Sequence, residues 1–149
     1  MIFRIDTGDG RKRRQVVSKG LVDDQWYFWA AVCDEGAGKL HLYRDGQLED
    51  TADIDVKFEY DTSKMWNLFG AAVLGHHTSE HFKGSIDEVR IWNIARSEDQ
   101  IKEDMNRSLK GTEPGLVGYW NFDEDRGDII ENRALYLNNG VAGQLPRDV

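Results

Sequence analysis

The segment Phe82–Ser97 places the strongest constraint on the fold, because a strand pattern in it leads into the start of a helix. Two sets of residues alternate along it: Ile86, Glu88, Arg90 and Trp92 in one, and Ser85, Asp87, Val89 and Ile91 in the other. A period of two places the sets on opposite faces of a β-strand. Ser97 then supplies a helix N-cap, and Gln100 completes a capping box. The segment therefore predicts a strand followed closely by a helix.

Short alternating or apolar segments, separated by Gly, Asp and Asn, make up most of the remaining chain. The predicted strands are Phe3–Ile5, Gln15–Ser18, Trp26–Cys33, Lys39–Arg44, Gln47–Glu49, Ile54–Tyr60, Trp66–Leu74, Glu88–Trp92, Gly115–Phe122, Asp128–Glu131 and Asn139–Ala142. Gly75–His81 is predicted to be a loop, and Asp45-Gly46 a hairpin turn. The one predicted helix lies near residues 97–109. This pattern indicates an all-β fold, an antiparallel β-sandwich (jelly roll) with one short helix.

Charge and cysteine content exclude several classes of function. The formal net charge of −8 argues against a nucleic-acid partner, because phosphate binding requires a basic face. No stretch is long and apolar enough for membrane insertion. Cys33 is the only cysteine, so no disulfide forms within the chain, and the first residues show no signal-peptide pattern. These totals predict one globular domain.

Three segments carry a family resemblance: Trp26-Tyr-Phe-Trp-Ala with Lys39–Gly46, Gly84-Ser-Ile-Asp-Glu-Val-Arg-Ile-Trp-Asn-Ile-Ala-Arg-Ser97, and Gly115-Leu-Val-Gly-Tyr-Trp-Asn-Phe-Asp-Glu124. Together they resemble the laminin-G-like, or concanavalin A-like, β-sandwich domains. The resemblance implies a non-catalytic recognition module whose partner is a glycan or a cell-surface protein. It also favours a secreted or cell-surface location, although the chain itself leaves its localisation unknown.

The third segment stands out of order, because in the family it normally opens a domain. Here it follows the motif that closes one. Either it returns to close the same sandwich, or the chain is a slice of a tandem array that ends inside the next repeat. An unpaired strand rich in aromatic residues would expose a large apolar patch. We therefore predict a single domain over residues 1–149, in which residues 115–141 supply the closing strands.

A metal site is implied by the same resemblance. Related sandwiches hold a structural calcium ion with an Asp of the closing strand and oxygens near the opening strand, which corresponds to Asp87 and Asp123 here. The chain departs from the family pattern at Asp125, where a Gly is expected. The alternative is that Asp87 accepts hydrogen bonds from turn N–H groups and that Asp123 is solvated. Calcium is thus a possible cofactor, and no other is predicted.

Two groups of residues are candidates for ligand binding. His41 and Tyr43 alternate with Leu40 and Leu42 along one strand, which predicts that they lie on its outer face. The second group consists of the loop histidines His76, His77 and His81. Solvation of that loop is the alternative, and a zinc site is a weaker one because no cysteine assists. Most of the five Trp residues are expected in the core, and the sequence does not show which one is exposed.

No catalytic motif is evident. Glycosidases of this fold resemble one another in a Glu-x-Asp-x-x-Glu strand motif, in which a close pair of carboxylates acts as nucleophile and acid. The nearest segment, Asp53–Glu59, has the wrong spacing. The sequence therefore predicts that the protein is not an enzyme. A polysaccharide-active glycosidase of the same fold and a structural or assembly domain remain the alternatives.

Overall fold

A computed structural model describes residues 1–6, 13–54, 69–70, 72–74, 77–79, 81–125, 129–135 and 140–141. The strands in these ranges are β1 (Ile2–Asp6), β2 (Arg13–Val17), β3 (Trp29–Asp34), β4 (Lys39–Arg44), β5 (Gln47–Asp53), β6 (Ala72–Leu74), β7 (His77–Ser79), β8 (Val89–Trp92), β9 (Leu116–Trp120), β10 (Ile129–Ile130) and β11 (Gly140–Val141). The helix is α1 (Glu98–Asp104). Most of the predicted strand Ile54–Tyr60 lies outside the described residues.

All described strands pair in an antiparallel manner. The pairs β1-β2, β6-β7, β8-β9 and β10-β11 form two-stranded sheets, and β3-β4-β5 forms a three-stranded sheet. The turn between β4 and β5 has positive φ at both Asp45 (51°) and Gly46 (76°). This is the conformation that a two-residue hairpin requires, which confirms the predicted Asp-Gly turn.

The chain divides into two compact units. The first contains Met1–His81 and Ala95–Asn106, and the second contains Phe82–Ile94 and Arg107–Val149. Each unit has its own buried apolar cluster. Closure of one sandwich by residues 115–141 therefore stays a prediction.

Strand β4 of the first unit is covered on both faces. Leu40 and Leu42 face a cluster that includes Val16 and Ile54, with Trp29 and Cys33 at its margin. Tyr43, on the opposite face, packs in a second cluster with Val32 and with Ile101 of α1. The prediction that Tyr43 lies on an outer face is therefore wrong, because the helix covers that end of the sheet. Alternation identifies the two faces of a strand but does not show what lies over each.

Helix α1 begins as predicted and ends earlier. The Ser97 side chain accepts a hydrogen bond from the Gln100 backbone, and the Gln100 side chain accepts one from the Ser97 backbone, which confirms the capping box. The helix ends at Asp104, and Met105 is its C-cap. Leu109, expected on the helix, is instead buried with Leu116 and Tyr119 in the second unit. No helix in the described ranges combines the length and the apolar character that crossing a membrane requires.

In the second unit, a partly buried polar network links Glu88, the residue before β8, to Arg90 of β8 and Tyr119 of β9. Glu88 accepts hydrogen bonds from the Tyr119 hydroxyl at 2.9 and 3.0 Å and pairs with Arg90 at 2.5 Å. The Arg90 guanidinium also donates to the Arg107 carbonyl at 2.7 Å. Burial and the nearby Glu88 carboxylate raise the pKa of Tyr119. The phenol is therefore held protonated as a donor to Glu88.

The backbone at Gly111 passes close to the backbone of residues 133–135, the segment that follows β10. Gly111 is buried with φ of 84°, and a Cβ atom there would lie 1.9 Å from the Arg133 carbonyl oxygen. The Gly111 carbonyl accepts a hydrogen bond from the Leu135 N–H at 3.2 Å. Only glycine satisfies both the positive φ and the close approach.

Candidate functional site

Trp26 is the most exposed Trp among the described residues. Its exposed fraction is 66%, whereas Trp120 is buried and Trp29 and Trp92 are half-buried. The sequence predicted a strand from Trp26 onward, but β3 begins only at Trp29. Trp26 therefore lies in the connection between β2 and β3, residues 18–28, which we call the Trp26 loop. Leu21 and Val22 of the same loop are also exposed, and apolar side chains that are exposed together in one segment mark a candidate contact surface.

A single hydroxyl group organises the Trp26 loop. The Tyr27 hydroxyl accepts a hydrogen bond from the Val22 N–H at 3.0 Å and donates one to the Gln25 side-chain oxygen, also at 3.0 Å. Asp24, between them, has a φ of 59°, so the backbone turns tightly there. These contacts close residues 22–27 into a compact turn that presents Trp26.

The sheet anchors this turn through Tyr27. The Arg44 guanidinium carbon lies 5.8 Å from the centroid of the Tyr27 ring. Arg44 also pairs with Glu49 at 2.5 Å and donates to the Lys19 carbonyl at 3.4 Å. The Tyr27 and Trp29 rings are 6.2 Å apart. The contacts of Tyr27 with Arg44 of β4 and with Trp29 of β3 thus hold the loop against these two strands.

Both ends of the Trp26 loop are bound to the β4–β5 hairpin. At the first end, the Ser18 hydroxyl donates to the Glu49 carboxylate at 2.8 Å. At the second end, the Phe28 N–H donates to the Asp45 carboxylate at 2.9 Å, and the Asp45 N–H donates to the Phe28 carbonyl at 2.8 Å. The loop therefore has fixed ends as well as a fixed turn.

The exposed surface of the loop combines apolar and polar groups. Leu21 and Val22 are 46% and 63% exposed, respectively, and Trp26 adds the largest apolar side chain. Asp23, Asp24 and Gln25 are also exposed. An apolar ring beside hydrogen-bonding groups is the composition that small polar ligands with one apolar face require. Sequence reasoning missed this site, although the turn-forming Asp23-Asp24 run before Trp26 indicates that the strand starts later.

The predicted site residues His41 and Tyr43 have different environments. His41 is half-buried, and its Nδ1 atom lies 3.1 Å from the Thr51 hydroxyl. Tyr43 retains only 7% exposure, and burial, followed by the Glu98 charge, raises its pKa. The two rings are 6.0 Å apart. Of this pair, His41 alone is accessible enough for direct contact with a ligand.

The three predicted loop histidines are not brought together by any described contact. His76 lies outside the described residues, and His77 falls in β7, where only its backbone is described. The prediction of a loop over Gly75–His81 is therefore wrong at His77–Ser79, which pair with β6. His81 is exposed. Ligand binding by these histidines stays a prediction.

The predicted calcium ligands Asp87 and Asp123 are both exposed, and each accepts a local hydrogen bond. Asp87 accepts from the Glu88 N–H at 2.9 Å, and Asp123 accepts from the Asn121 side-chain amide. In the part of the chain that is described, no three His, Cys, Asp or Glu side chains gather as metal ligands. Calcium binding stays a prediction, which melting temperatures measured with calcium and with a chelator would test.

Comparison with known proteins identifies the fold. A family model, described as the concanavalin A-like lectin/glucanases superfamily, matches residues 1–102. A crystal structure of a Bacteroides ovatus protein that has been proposed to bind carbohydrate superimposes with a TM-score of 0.69 at 24% sequence identity. The match covers 91% of this chain and 41% of that protein, so this chain spans less than half of its length. No curated protein is significantly similar in sequence. These findings confirm the predicted family resemblance and the all-β, antiparallel sandwich fold.

Proposed function

Because the chain belongs to the concanavalin A-like lectin/glucanase superfamily, we propose that it is a non-catalytic carbohydrate-binding module whose contact surface is the Trp26 loop. The observation that carries this proposal is the 66% exposure of Trp26 on a turn held by the Tyr27 hydroxyl. The fold alone does not distinguish a binding module from a glycosidase.

The chemistry of the loop suits a sugar. One face of a pyranose ring carries mainly C–H groups, which pack against an aromatic ring, while its hydroxyls require hydrogen-bond partners. Trp26 offers the aromatic surface, and the exposed Asp23, Asp24 and Gln25 offer acceptors and a donor. Since Tyr27 and Arg44 already fix the turn, little conformational entropy is lost on binding.

The environment of Asp53 also agrees with a binding role. Asp53 is the first acid of Asp53–Glu59, the segment that comes nearest to the glycosidase motif. Its carboxylate pairs with Lys39 at 2.5 Å and its side chain is 83% exposed. The hydrogen bond and the charge of Lys39 lower the pKa of Asp53. A general acid requires the opposite shift, because it must be protonated near neutral pH. Asp53 is therefore poorly suited to protonate a leaving group.

Replacing Trp26 with alanine is expected to weaken glycan binding by about 30-fold, which corresponds to about 2 kcal/mol for loss of a central Trp contact. A glycan array followed by titration calorimetry on the best polysaccharide measures this change. Phe82→Ala is the matched control, because Phe82 is also exposed (55%) but lies outside the loop. Its affinity is expected to stay within about twofold of the unmodified protein.

The proposal fails if no glycan binds, or if Trp26→Ala and Phe82→Ala bind with equal affinity. A structural or assembly role would be indicated instead if the protein forms a stable oligomer by size exclusion and Trp26→Ala dissociates it. The folded state of each variant is verified by its melting temperature, which the exposed positions are expected to leave nearly unchanged.

A further inference from the structure

We propose that the Trp26 loop selects uncharged glycans and rejects glycans that carry carboxylate or sulfate groups. This inference rests on the proposed function and names its ligand class.

Carboxylates outnumber cations around the loop. The loop and the adjoining residues 44–49 carry the acids Asp23, Asp24, Asp45 and Glu49 and the cations Lys19 and Arg44. Arg44 is already paired with Glu49 at 2.5 Å and lies over the Tyr27 ring. The charges of Arg44 and Glu49 therefore largely cancel, which leaves Asp23, Asp24 and Asp45 against Lys19. Lys19, at the start of the loop, is the one exposed cation among these residues.

The two exposed acids are close enough to act on a ligand at Trp26. Asp24 is two residues from Trp26 and Asp23 is three, so their α-carbons are at most about 7 and 11 Å away along the chain. The screening length at physiological ionic strength is about 8 Å. Asp23 and Asp24 thus repel an anionic group on a sugar stacked at Trp26, and salt screens this repulsion only partly.

The net charge of the whole chain also favours uncharged glycans over anionic ones. The formal net charge is −8, so a polyanion is also repelled before it reaches the loop. An uncharged polysaccharide experiences neither penalty. It gains the apolar contact with Trp26 and the hydrogen bonds of Gln25, whose side-chain oxygen is positioned by Tyr27.

The test uses the full chain with neutral glucan, mannan and galactan probes and with polygalacturonate and a sulfated galactan as anionic probes. Asp23→Asn combined with Asp24→Asn removes the local charge without disturbing the turn, because Asn tolerates the φ of 59° at position 24. Glu35→Gln combined with Glu103→Gln is the control, since it removes the same charge from exposed positions elsewhere. Binding is measured at low and at physiological salt.

The unmodified protein is expected to bind a neutral probe at least tenfold more tightly than its anionic counterpart. The loop variant is expected to raise affinity for the anionic probe by about fivefold at low salt, and the control variant by less than twofold. The control variant is expected to keep its affinity for the neutral probe within about twofold. Because Asp23 and Asp24 also offer acceptors to a sugar, the loop variant is judged by the ratio of its affinities for the anionic and the neutral probe, which is expected to rise about fivefold at low salt.

Three outcomes would contradict the inference, and the first two leave the proposed function intact. If an anionic glycan binds as tightly as a neutral one and Trp26→Ala abolishes both, the charge selection is wrong and the binding role stands. If the loop variant and the control variant gain the same affinity for the anionic probe, the charges of Asp23 and Asp24 do not cause the selection. If no probe binds, or Trp26→Ala leaves binding unchanged, the proposed function itself fails and the inference fails with it.

Discussion

Replacing Gly111 with alanine is expected to destabilise the protein by about 4 kcal/mol, the largest effect of any substitution considered. Two costs combine. A non-glycine residue at the φ of 84° loses about 1–2 kcal/mol. The new Cβ atom would also lie 1.9 Å from the Arg133 carbonyl oxygen. Because the obstacle is backbone, it moves only if the crossing of residues 111 and 133–135 opens and the Leu135-to-Gly111 hydrogen bond breaks.

Gly20→Ala provides a matched control for this prediction. Gly20 also has positive φ, 71°, but a Cβ atom there meets no heavy atom within 4 Å. This variant is expected to lose only about 1–2 kcal/mol, the conformational cost alone. Urea denaturation of both variants measures the difference, which isolates the effect of the crossing. Equal losses in the two variants would show that Gly111 and Arg133 do not approach as closely as described.

Replacing Glu88 with alanine is expected to cost about 3 kcal/mol. The Arg90 side chain is only 6% exposed, and loss of its 2.5 Å partner leaves a cation in a poorly solvated site. The Tyr119 hydroxyl also loses its acceptor. This loss is smaller than the full penalty for breaking a buried pair, because the Glu88 side chain is 30% exposed and Arg90 keeps its bond to the Arg107 carbonyl.

The backbone at position 88 does not complicate this experiment. Glu88 has a φ of 54°, and alanine bears nearly the same conformational cost, so the substitution reports on the side chain. Glu88→Gln keeps an acceptor for Tyr119 and removes only the charge, so an intermediate loss is expected. Asp53→Ala breaks an exposed ion pair instead and is expected to change stability little. A loss for Glu88→Ala no greater than for Asp53→Ala would refute the network.

The sequence predicted those features that depend on neighbours in the chain. The Ser97 capping box and the Asp45-Gly46 turn are local, and both form as expected. The bounds of β4 are also predicted residue for residue, because Lys39–Arg44 alternates cleanly between two turn regions. The resemblance of three segments to a known family predicted the fold, and the comparisons confirm that fold.

Features that depend on distant contacts could not be predicted. Tyr43 shares its strand face with His41, but Ile101, far along the chain, covers Tyr43 and leaves His41 half-buried. Trp26 reads as part of an apolar strand, yet the Tyr27 hydroxyl and Arg44 turn that segment into a loop. Neither periodicity nor composition encodes which side chain another element will cover.

The attachment of the Trp26 loop has an evolutionary consequence. Ser18 and Phe28 are bound to Glu49 and Asp45 of one hairpin, and Tyr27 contacts Arg44, so the attachment of the loop does not require particular side chains at residues 20–26. Residues 20–26 can therefore be diversified as a cassette while the scaffold is kept constant. A library of variants restricted to this interval, selected against immobilised polysaccharides, offers a route to new specificities from the same framework.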